Sequence, residues 1–143
     1  MDVEDVIERY GLIPLAGEGG WYRFITRFSG LEAGSIYYLV TPTSFSSLHR
    51  LSEDELWFFL DGDECEQLTF SEEDGESSIA ILGKECRHSL VKAGLWQATR
   101  LKGGGRWALF STVMCPHYDE GMYSAPDEAM LVRHPFLKDY LNA

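Results

Sequence analysis

The chain has 143 residues, with 12 lysine or arginine and 23 aspartate or glutamate side chains, so its formal net charge is -11. This length is typical of one domain that buries a sizeable core without metal or disulfide support. So acidic a chain lacks the basic surface that nucleic acids require, and we expect no nucleic-acid partner. We also expect no membrane span, because every apolar run is far shorter than about 18 residues.

The cysteines and the amino terminus indicate the cell compartment. The three cysteines are an odd number without C-x-x-C spacing, and they occur in or beside apolar runs, where thiols usually behave as small hydrophobes. The acidic start of the chain is followed by no long apolar stretch, so we expect neither a signal peptide nor a transit peptide. We therefore expect a cytoplasmic protein without a disulfide framework.

The first predicted element is a short amphipathic helix. Asp2 can cap its start, and Gly11 can end it in the left-handed conformation. Between these two residues the apolar side chains recur at helical spacing (Val3, Val6, Ile7 and Tyr10). We expect this helix to flank the main fold.

The middle of the chain is predicted to be a series of short strands. These segments are rich in aromatic and β-branched residues, and turn signals separate them at intervals typical of sandwiches and barrels. The turn at residues 61–63, Asp-Gly-Asp, predicts a hairpin between the strand before it and the strand after it. The predicted strands are 21–28, 36–40, 55–60, 66–70, 78–82, 88–91, 96–100 and 107–114.

Helical periodicity returns near the end of the chain. A segment that opens at Pro126 has apolar residues at helical spacing, and Pro135 interrupts it. We predict two short helices there. Because no internal repeat or linker is visible, we expect one all-β domain over residues 1–143, decorated by these terminal helices.

Five motifs follow one another along nearly the whole chain, at residues 18–23, 35–39, 49–63, 93–98 and 111–113. Their order and spacing resemble the small cupins of the cupin 5 family, also called the domain-of-unknown-function 985 family. The resemblance implies a cupin-type jelly-roll β-barrel, or double-stranded β-helix, with a pocket in its mouth. Members are usually dimeric, and the terminal helix and strand edges of a small barrel favour a symmetric partner. We expect a homodimer that binds a small molecule.

The resemblance also points to a metal position that this chain has largely lost. A general metal-binding cupin takes two histidines and a glutamate from its first motif and a third histidine from its second. His49 and Glu55 match the first histidine and the glutamate, but Leu51 replaces the second histidine and Gln97 stands at the third. We therefore expect no cofactor, and a divalent metal held by His49, Glu55 and Gln97 is the alternative. The loop that contains His117 matches no standard zinc spacing, so we expect no site there.

The same positions can instead recognise a small polar ligand directly. Glu55 accepts hydrogen bonds, Gln97 both donates and accepts them, and His49 can exchange a proton near neutral pH. Arg23 can hold a carboxylate or phosphate through two parallel hydrogen bonds. Its alternative is an ion pair with Glu18 or Glu55.

Aromatic side chains and proton carriers complete this predicted pocket. His49 is the candidate general acid or base, unless its ring only satisfies a neighbouring backbone group. Tyr38 is the candidate second proton carrier, with Tyr37 as its alternative. Flat walls for a sugar, a base or another ring can come from Tyr22, Tyr38, Trp57 and Trp96, each of which can also be ordinary core packing.

These residues support three functions. The first is a metal-independent isomerase or epimerase of a sugar-like or other small oxygenated metabolite, in which His49 moves a proton. The second is a non-catalytic module that binds or senses a small metabolite. The third is a degenerate metal-dependent cupin enzyme.

Overall fold

The computed structural model describes residues 1–30 and 32–143, which form strands in two antiparallel sheets flanked by short helices. Among these residues, no helix has the length and apolar character that crossing a membrane requires. The helices are α1 (Val3–Tyr10), a 3-10 helix (Glu120–Met122), α2 (Glu128–Arg133) and a second 3-10 helix (Pro135–Tyr140). The strands are β1 (Ile13–Pro14), β2 (Trp21–Arg27), β3 (Gly34–Val40), β4 (Ser46–Leu51), β5 (Glu55–Gly62), β6 (Cys65–Phe70), β7 (Ser77–Leu82), β8 (His88–Val91), β9 (Trp96–Leu101), β10 (Ala108–Met114) and β11 (Tyr123–Ser124).

The two sheets face each other, and the chain passes repeatedly between them. One sheet has the strand order β1-β2-β3-β10-β5-β8, and the other has the order β11-β4-β9-β6-β7. Neighbours such as β3 and β10 are therefore distant along the chain, as the jelly-roll arrangement requires. The prediction of an all-β jelly roll with short terminal helices is confirmed, and each of the eight predicted strands is present with small shifts at its ends.

Helix α1 closes one side of the barrel through its apolar face. Asp2 accepts a hydrogen bond from the backbone nitrogen of Asp5, and the Asp5 carboxylate accepts one from Asp2 in return, which forms a capping box. Gly11 ends the helix at φ 64°, in the left-handed region. Val6 is fully buried and belongs to a cluster with Leu12, Leu39, Trp107 and Leu109.

Aromatic rings fill the space between the sheets. The Trp57 ring meets Tyr38 at a centroid distance of 5.6 Å and Phe110 at 5.3 Å, both edge to face. Phe59 packs against the same Phe110 ring at 5.8 Å. All four side chains are almost completely buried and come from the six-stranded sheet, so they form the aromatic part of its interior face.

The carboxyl-terminal helices cover the outer face of the five-stranded sheet. Met130 of α2 and Leu137 of the last 3-10 helix are buried against that sheet. This cover buries a second apolar layer, so the sheet is apolar on the face that points away from the barrel. The sheet residues in the layer are Leu48, Leu68, Phe70, Trp96 and Ala98.

Strand β4 (Ser46–Leu51) was not among the predicted strands. Its residues are buried on both faces, but serine and histidine occupy positions where the usual pattern would have apolar residues. Leu48 packs under the carboxyl-terminal helices, whereas Ser47 and His49 alternate with it on the opposite face. A strand with a polar interior face lacks the alternation of apolar and polar residues from which strands are predicted.

The predicted hairpin at residues 61–63 is wrong. Strands β5 and β6 lie in different sheets, so the turn carries the chain from one sheet to the other. The turn is tied to the segment before β10: the backbone nitrogen of Asp63 donates to the carbonyl oxygen of Trp107 at 2.8 Å, and its carboxylate accepts from the backbone nitrogen of Arg106 at 2.7 Å. These hydrogen bonds hold the turn in place of the strand-to-strand hydrogen bonds that a hairpin would have.

A methyl group at Gly62 is expected to destabilise the turn that carries the chain from one sheet to the other. Gly62 has φ 102°, and a Cβ atom there would clash with the carbonyl oxygen of Trp107. We expect Gly62→Ala to lower the free energy of unfolding by about 2–3 kcal/mol, measured by chemical denaturation. Gly75→Ala is the matched control, because Gly75 also has a positive φ but has open space around it. Equal losses in the two variants would show that the clash is not the cause.

Candidate functional site

A cavity of about 240 Å³ opens between the sheets at one end of the barrel. Its wall combines strand residues with two loops, the loop between β1 and β2 and the loop that follows β10. The volume suits a small ligand rather than a nucleotide-sized one. The polar side chains in the wall are Glu18, Tyr22, Ser35, Tyr38, Glu55, Thr112, His117, Tyr118 and Glu120.

Glu55 is a buried carboxyl group in the wall of this cavity. It begins β5 and is 7% exposed, and its Oε1 accepts a hydrogen bond from Nε2 of Gln97 at 3.3 Å. Burial, together with the negative charge of Glu18, raises the pKa of Glu55 to about 7, although His49, Thr112 and Gln97 partly oppose the increase. Glu55 can therefore gain or lose a proton at neutral pH.

His49 lies directly behind Glu18 and does not line the cavity. Its ring is fully buried, and Nδ1 lies 2.8 Å from the carbonyl oxygen of Ser47. A carbonyl oxygen can only accept, so Nδ1 carries a proton. Nε2 has no hydrogen-bond partner among the described residues and lies 3.7 Å from Oε1 of Glu18. The ring is stacked on Tyr123 at a centroid distance of 5.4 Å.

The loop that carries Glu18 is fixed by hydrogen bonds from distant parts of the chain. Tyr38 donates from its hydroxyl group to the carbonyl oxygen of Gly19 at 2.5 Å. Asn142 donates from Nδ2 to the carbonyl oxygens of Glu18 at 3.2 Å and Phe45 at 2.7 Å. The Glu18 carboxylate itself accepts a hydrogen bond from Ser46 at 2.8 Å. The acid is therefore held in a defined position at the cavity.

Tyr38 has a hydroxyl group that stays protonated. Burial, followed by the charge of Glu18, raises its pKa well above the ordinary value. The hydroxyl proton is already donated to the backbone of Gly19. Tyr38 thus anchors the Glu18 loop, and its role as a proton carrier stays a prediction.

Trp57 and Gln97 form a short hydrogen-bonded chain that leads to Glu55. Trp57 lines the cavity and donates from Nε1 to Oε1 of Gln97 at 3.2 Å, and Gln97 donates in turn to Glu55. Both groups of the Gln97 amide are engaged, so its orientation is fixed. His49 is opposite Gln97 in the pairing of β4 and β9, which brings these predicted residues together.

Four of the predicted site residues are not part of the cavity wall: His49 and Gln97, which lie next to wall residues, and Arg23 and Trp96, which lie further away. Arg23 is exposed and donates from Nη1 to the carbonyl oxygen of Tyr10 at 3.3 Å, at the end of α1. Trp96 precedes Gln97 on β9, so its ring points to the opposite face, where it donates to Glu72 at 2.8 Å. Tyr22, by contrast, does line the cavity.

Several cavity residues lie in loops and were missed by the sequence analysis. Glu18 was considered there only as an ion-pair partner of Arg23, and His117 was expected to have no role. Both line the cavity, together with Tyr118 of the loop after β10 and Glu120, the first residue of the 3-10 helix that follows. Burial and the charge of Glu18 raise the pKa of Tyr118 to about 12. The sequence showed that this loop follows a long strand, but it did not show whether the side chains of the loop point towards the cavity or away from it.

The donor set does not fit the alternative of a divalent metal on His49, Glu55 and Gln97. The amide oxygen of Gln97 already accepts from Trp57, and its nitrogen donates to Glu55, so the amide is held by hydrogen bonds to neighbouring side chains. Leu51 contributes only an alkyl group to the cavity wall. Within residues 1–30 and 32–143, no three His, Cys, Asp or Glu side chains are grouped as a metal site.

Two antiparallel sheets in jelly-roll order around a polar cavity define a cupin barrel. The chain belongs to the Cupin_5 family of the cupin superfamily (DUF985), whose family model matches residues 4–124. The resemblance noted from the sequence motifs is thereby confirmed.

Solved structures with the same fold cover almost the entire chain. A protein from Shewanella oneidensis is 25% identical, with a TM-score of 0.90 over 100% of this chain and 98% of the other. A hypothetical protein from Leishmania major is 22% identical, with a TM-score of 0.88 over 100% of both chains. A cupin 2 conserved barrel domain protein from Rhodopseudomonas palustris is 13% identical, with a TM-score of 0.69 over 92% of this chain and 90% of the other. None of the curated proteins compared with this sequence matches it.

Proposed function

We propose that this cupin binds a small oxygenated, sugar-like metabolite in its cavity and isomerises or epimerises it without a metal. The observation that carries the proposal is Glu55, a buried carboxyl group that faces the cavity and has a pKa of about 7. A group with this pKa can act as a base and then as an acid within one catalytic cycle at neutral pH.

The proposed reaction is a proton transfer at a carbon next to a carbonyl group. Glu55 removes that proton, and the electron pair of the broken C–H bond moves towards the carbonyl oxygen to give an enol or enolate. Return of the proton from Glu55 to the former carbonyl carbon, with transfer of the adjacent hydroxyl proton to the former carbonyl oxygen, completes an isomerisation. In an epimerisation the proton is returned to the opposite face of the same carbon by water, and Glu55 then gives its proton to solvent. No oxidant or reductant is required, and the hydroxyl groups of Thr112 and Ser35 in the wall can bind the oxygen atoms of the substrate.

The predicted base, His49, acts in this proposal through Glu18. Its Nε2 atom lies 3.7 Å from Oε1 of Glu18, whereas the ring itself is not part of the cavity wall. His49 thus helps to position the Glu18 carboxylate from outside the cavity wall, and Glu55 takes the role of base.

The second candidate is a module that binds the metabolite without changing it. The observation in its favour is that Tyr38, the predicted second proton carrier, already donates its proton to the backbone. On this hypothesis Glu55 and Glu18 serve as acceptors for the hydroxyl groups of the ligand, and no second acid is needed.

Solvent deuterium incorporation distinguishes the two functions. We expect the protein to incorporate deuterium from heavy water next to the carbonyl of one sugar in a panel of aldoses and ketoses, followed by NMR. Glu55→Gln should slow this exchange by about 100-fold, because it removes the base but keeps the shape of the side chain. Glu73→Gln, the same substitution in an exposed turn, should have no effect.

The possible results distinguish loss of the catalytic base from loss of the fold, and catalysis from binding alone. Exchange at the parent rate in Glu55→Gln would contradict the assigned base. Sugar binding without any exchange in the parent protein would favour the binding module. Native mass spectrometry of the purified variants shows whether each one retains the folded charge-state distribution.

A further inference from the structure

We infer that the ligand of this cavity carries a positive charge, and that its class is an amino-substituted, sugar-like compound with a protonated amine. This inference rests on the proposed function for the sugar-like part of the ligand. The charge preference is argued independently, from the side chains that face the cavity.

The cavity wall is acidic. Three carboxyl groups line it, those of Glu18, Glu55 and Glu120. Among the residues that the structure describes, no lysine or arginine belongs to the wall, and Arg23 is engaged at the end of α1. A carboxylate or phosphate ligand would meet three carboxyl groups here, with only the His117 imidazole able to become cationic among the described wall residues, whereas an ammonium group would meet complementary charges.

A buried, unpaired atom at the acidic side of the cavity is the second observation. His49 is 0% exposed, and its Nε2 has no hydrogen-bond partner in the described part of the chain, although it is directed at Glu18 from 3.7 Å. That distance is too long for a hydrogen bond, so the Glu18 carboxylate accepts from the neutral Ser46 hydroxyl at 2.8 Å rather than from His49. A cation in the cavity would supply the missing charge partner for Glu18 and Glu55 together.

Aromatic rings in the wall favour the same charge. Tyr22, Phe24, Trp57 and Tyr118 all contribute to the cavity surface. The face of an aromatic ring is electron-rich and attracts an ammonium group, most strongly where water is excluded. A sugar ring carrying an amine would use these faces for its apolar side as well.

Binding of a cation is coupled to the ionisation of Glu55. The titratable groups that act on Glu55 from neighbouring elements are Glu18, His49 and Tyr38. A cation beside Glu55 favours its charged form, so binding at a pH below about 7 requires release of a proton. Affinity for a cation is therefore expected to rise about tenfold per pH unit up to that point and to level off above it.

Two matched ligand series test the inference by isothermal titration calorimetry near neutral pH. The first is glucosamine, glucose and glucuronate, which share a hexose ring but differ in charge. The second is benzylammonium, benzyl alcohol and benzoate, which share a phenyl ring. We expect each cation to bind at least about tenfold more tightly than its neutral counterpart, and each anion to bind most weakly.

The Glu55→Gln variant and a pH series sharpen the test. In this variant the affinity for benzylammonium should fall. It should also no longer increase between pH 5, which is about two units below the Glu55 pKa, and pH 7, which is close to that pKa. Glu73→Gln, in an exposed turn, should behave like the parent protein. A pH dependence that persists in Glu55→Gln would overturn the assignment of Glu55 to the cation.

The outcomes keep the inference apart from the proposed function. Equal affinities for glucose and glucosamine would overturn the charge preference and leave the sugar-like ligand intact. Binding of benzylammonium but of no hexose would support the charge preference and contradict the sugar-like ligand. Tighter binding of either anion, or binding of neither cation, would overturn the inference.

Discussion

Replacing Phe110 with alanine is expected to lower the free energy of unfolding by about 3–5 kcal/mol. Phe110 lies in β10, which is paired with both β3 and β5, and its side chain is 0% exposed. Its ring meets the Trp57 ring at 5.3 Å and the Phe59 ring at 5.8 Å. Truncation to a methyl group would leave a void that these aromatic neighbours cannot fill, so both the transfer free energy and the packing contacts are lost.

Urea denaturation followed by circular dichroism measures this loss, with Phe58→Ala as the control. Phe58 is on the adjacent strand β5 but points to the outer face, where it is 37% exposed. We expect its replacement to cost less than about 1.5 kcal/mol, since much of its area is already in water. Similar losses for the two variants would contradict the central position of Phe110 in the core.

Replacing Glu55 with glutamine is expected to stabilise the unliganded protein above neutral pH. In the folded chain the pKa of Glu55 is raised from 4.5 to about 7, so between these values the folded state keeps a proton that the unfolded state has released. The contribution of Glu55 to the free energy of unfolding is therefore fully present below the unfolded pKa. It decreases as the pH rises through this window and is lost above the folded pKa. The total loss is about 3 kcal/mol, a large share of the 5–15 kcal/mol typical of a domain.

Glutamine cannot ionise, so Glu55→Gln should remove this decline and gain about 2–3 kcal/mol over the parent protein at about pH 8, with little difference near pH 4. Its amide oxygen can still accept the hydrogen bond from Gln97. Chemical denaturation of both proteins across this pH range measures the difference. Glu73→Gln controls for the change in net charge. A constant difference between Glu55→Gln and the parent protein at every pH would contradict a perturbed Glu55.

The sequence predicted the strands with apolar interior faces and failed where the interior is polar. Trp57 and Phe59 of β5 alternate with exposed residues, so both the strand and its inward face could be deduced. Strand β4 places Ser47 and His49 on its interior face, and this polar alternation was not recognised as a strand. The turn after β5 predicted a hairpin because local turn chemistry does not reveal which sheet the next strand joins.

The candidate site was predictable in its strand residues and not in its loop residues. Glu55 and Trp57 share one face of β5, and both line the cavity. Trp96 was assigned to the pocket together with Gln97, although adjacent strand positions face opposite ways. Glu18 and His117 reach the cavity from loops far apart in the chain, and only the folded structure brings these loops together.

The hydrogen bond from Asn142 to the Glu18 loop joins residues that are 124 positions apart. During synthesis, Glu18 therefore emerges long before the amide that holds its backbone in place. Closing a chain segment of this length costs more entropy than closing a short turn. The Glu18 loop is therefore fully held only once residue 142 is in place, and a ligand that binds the completed cavity would protect the folded chain from unfolding.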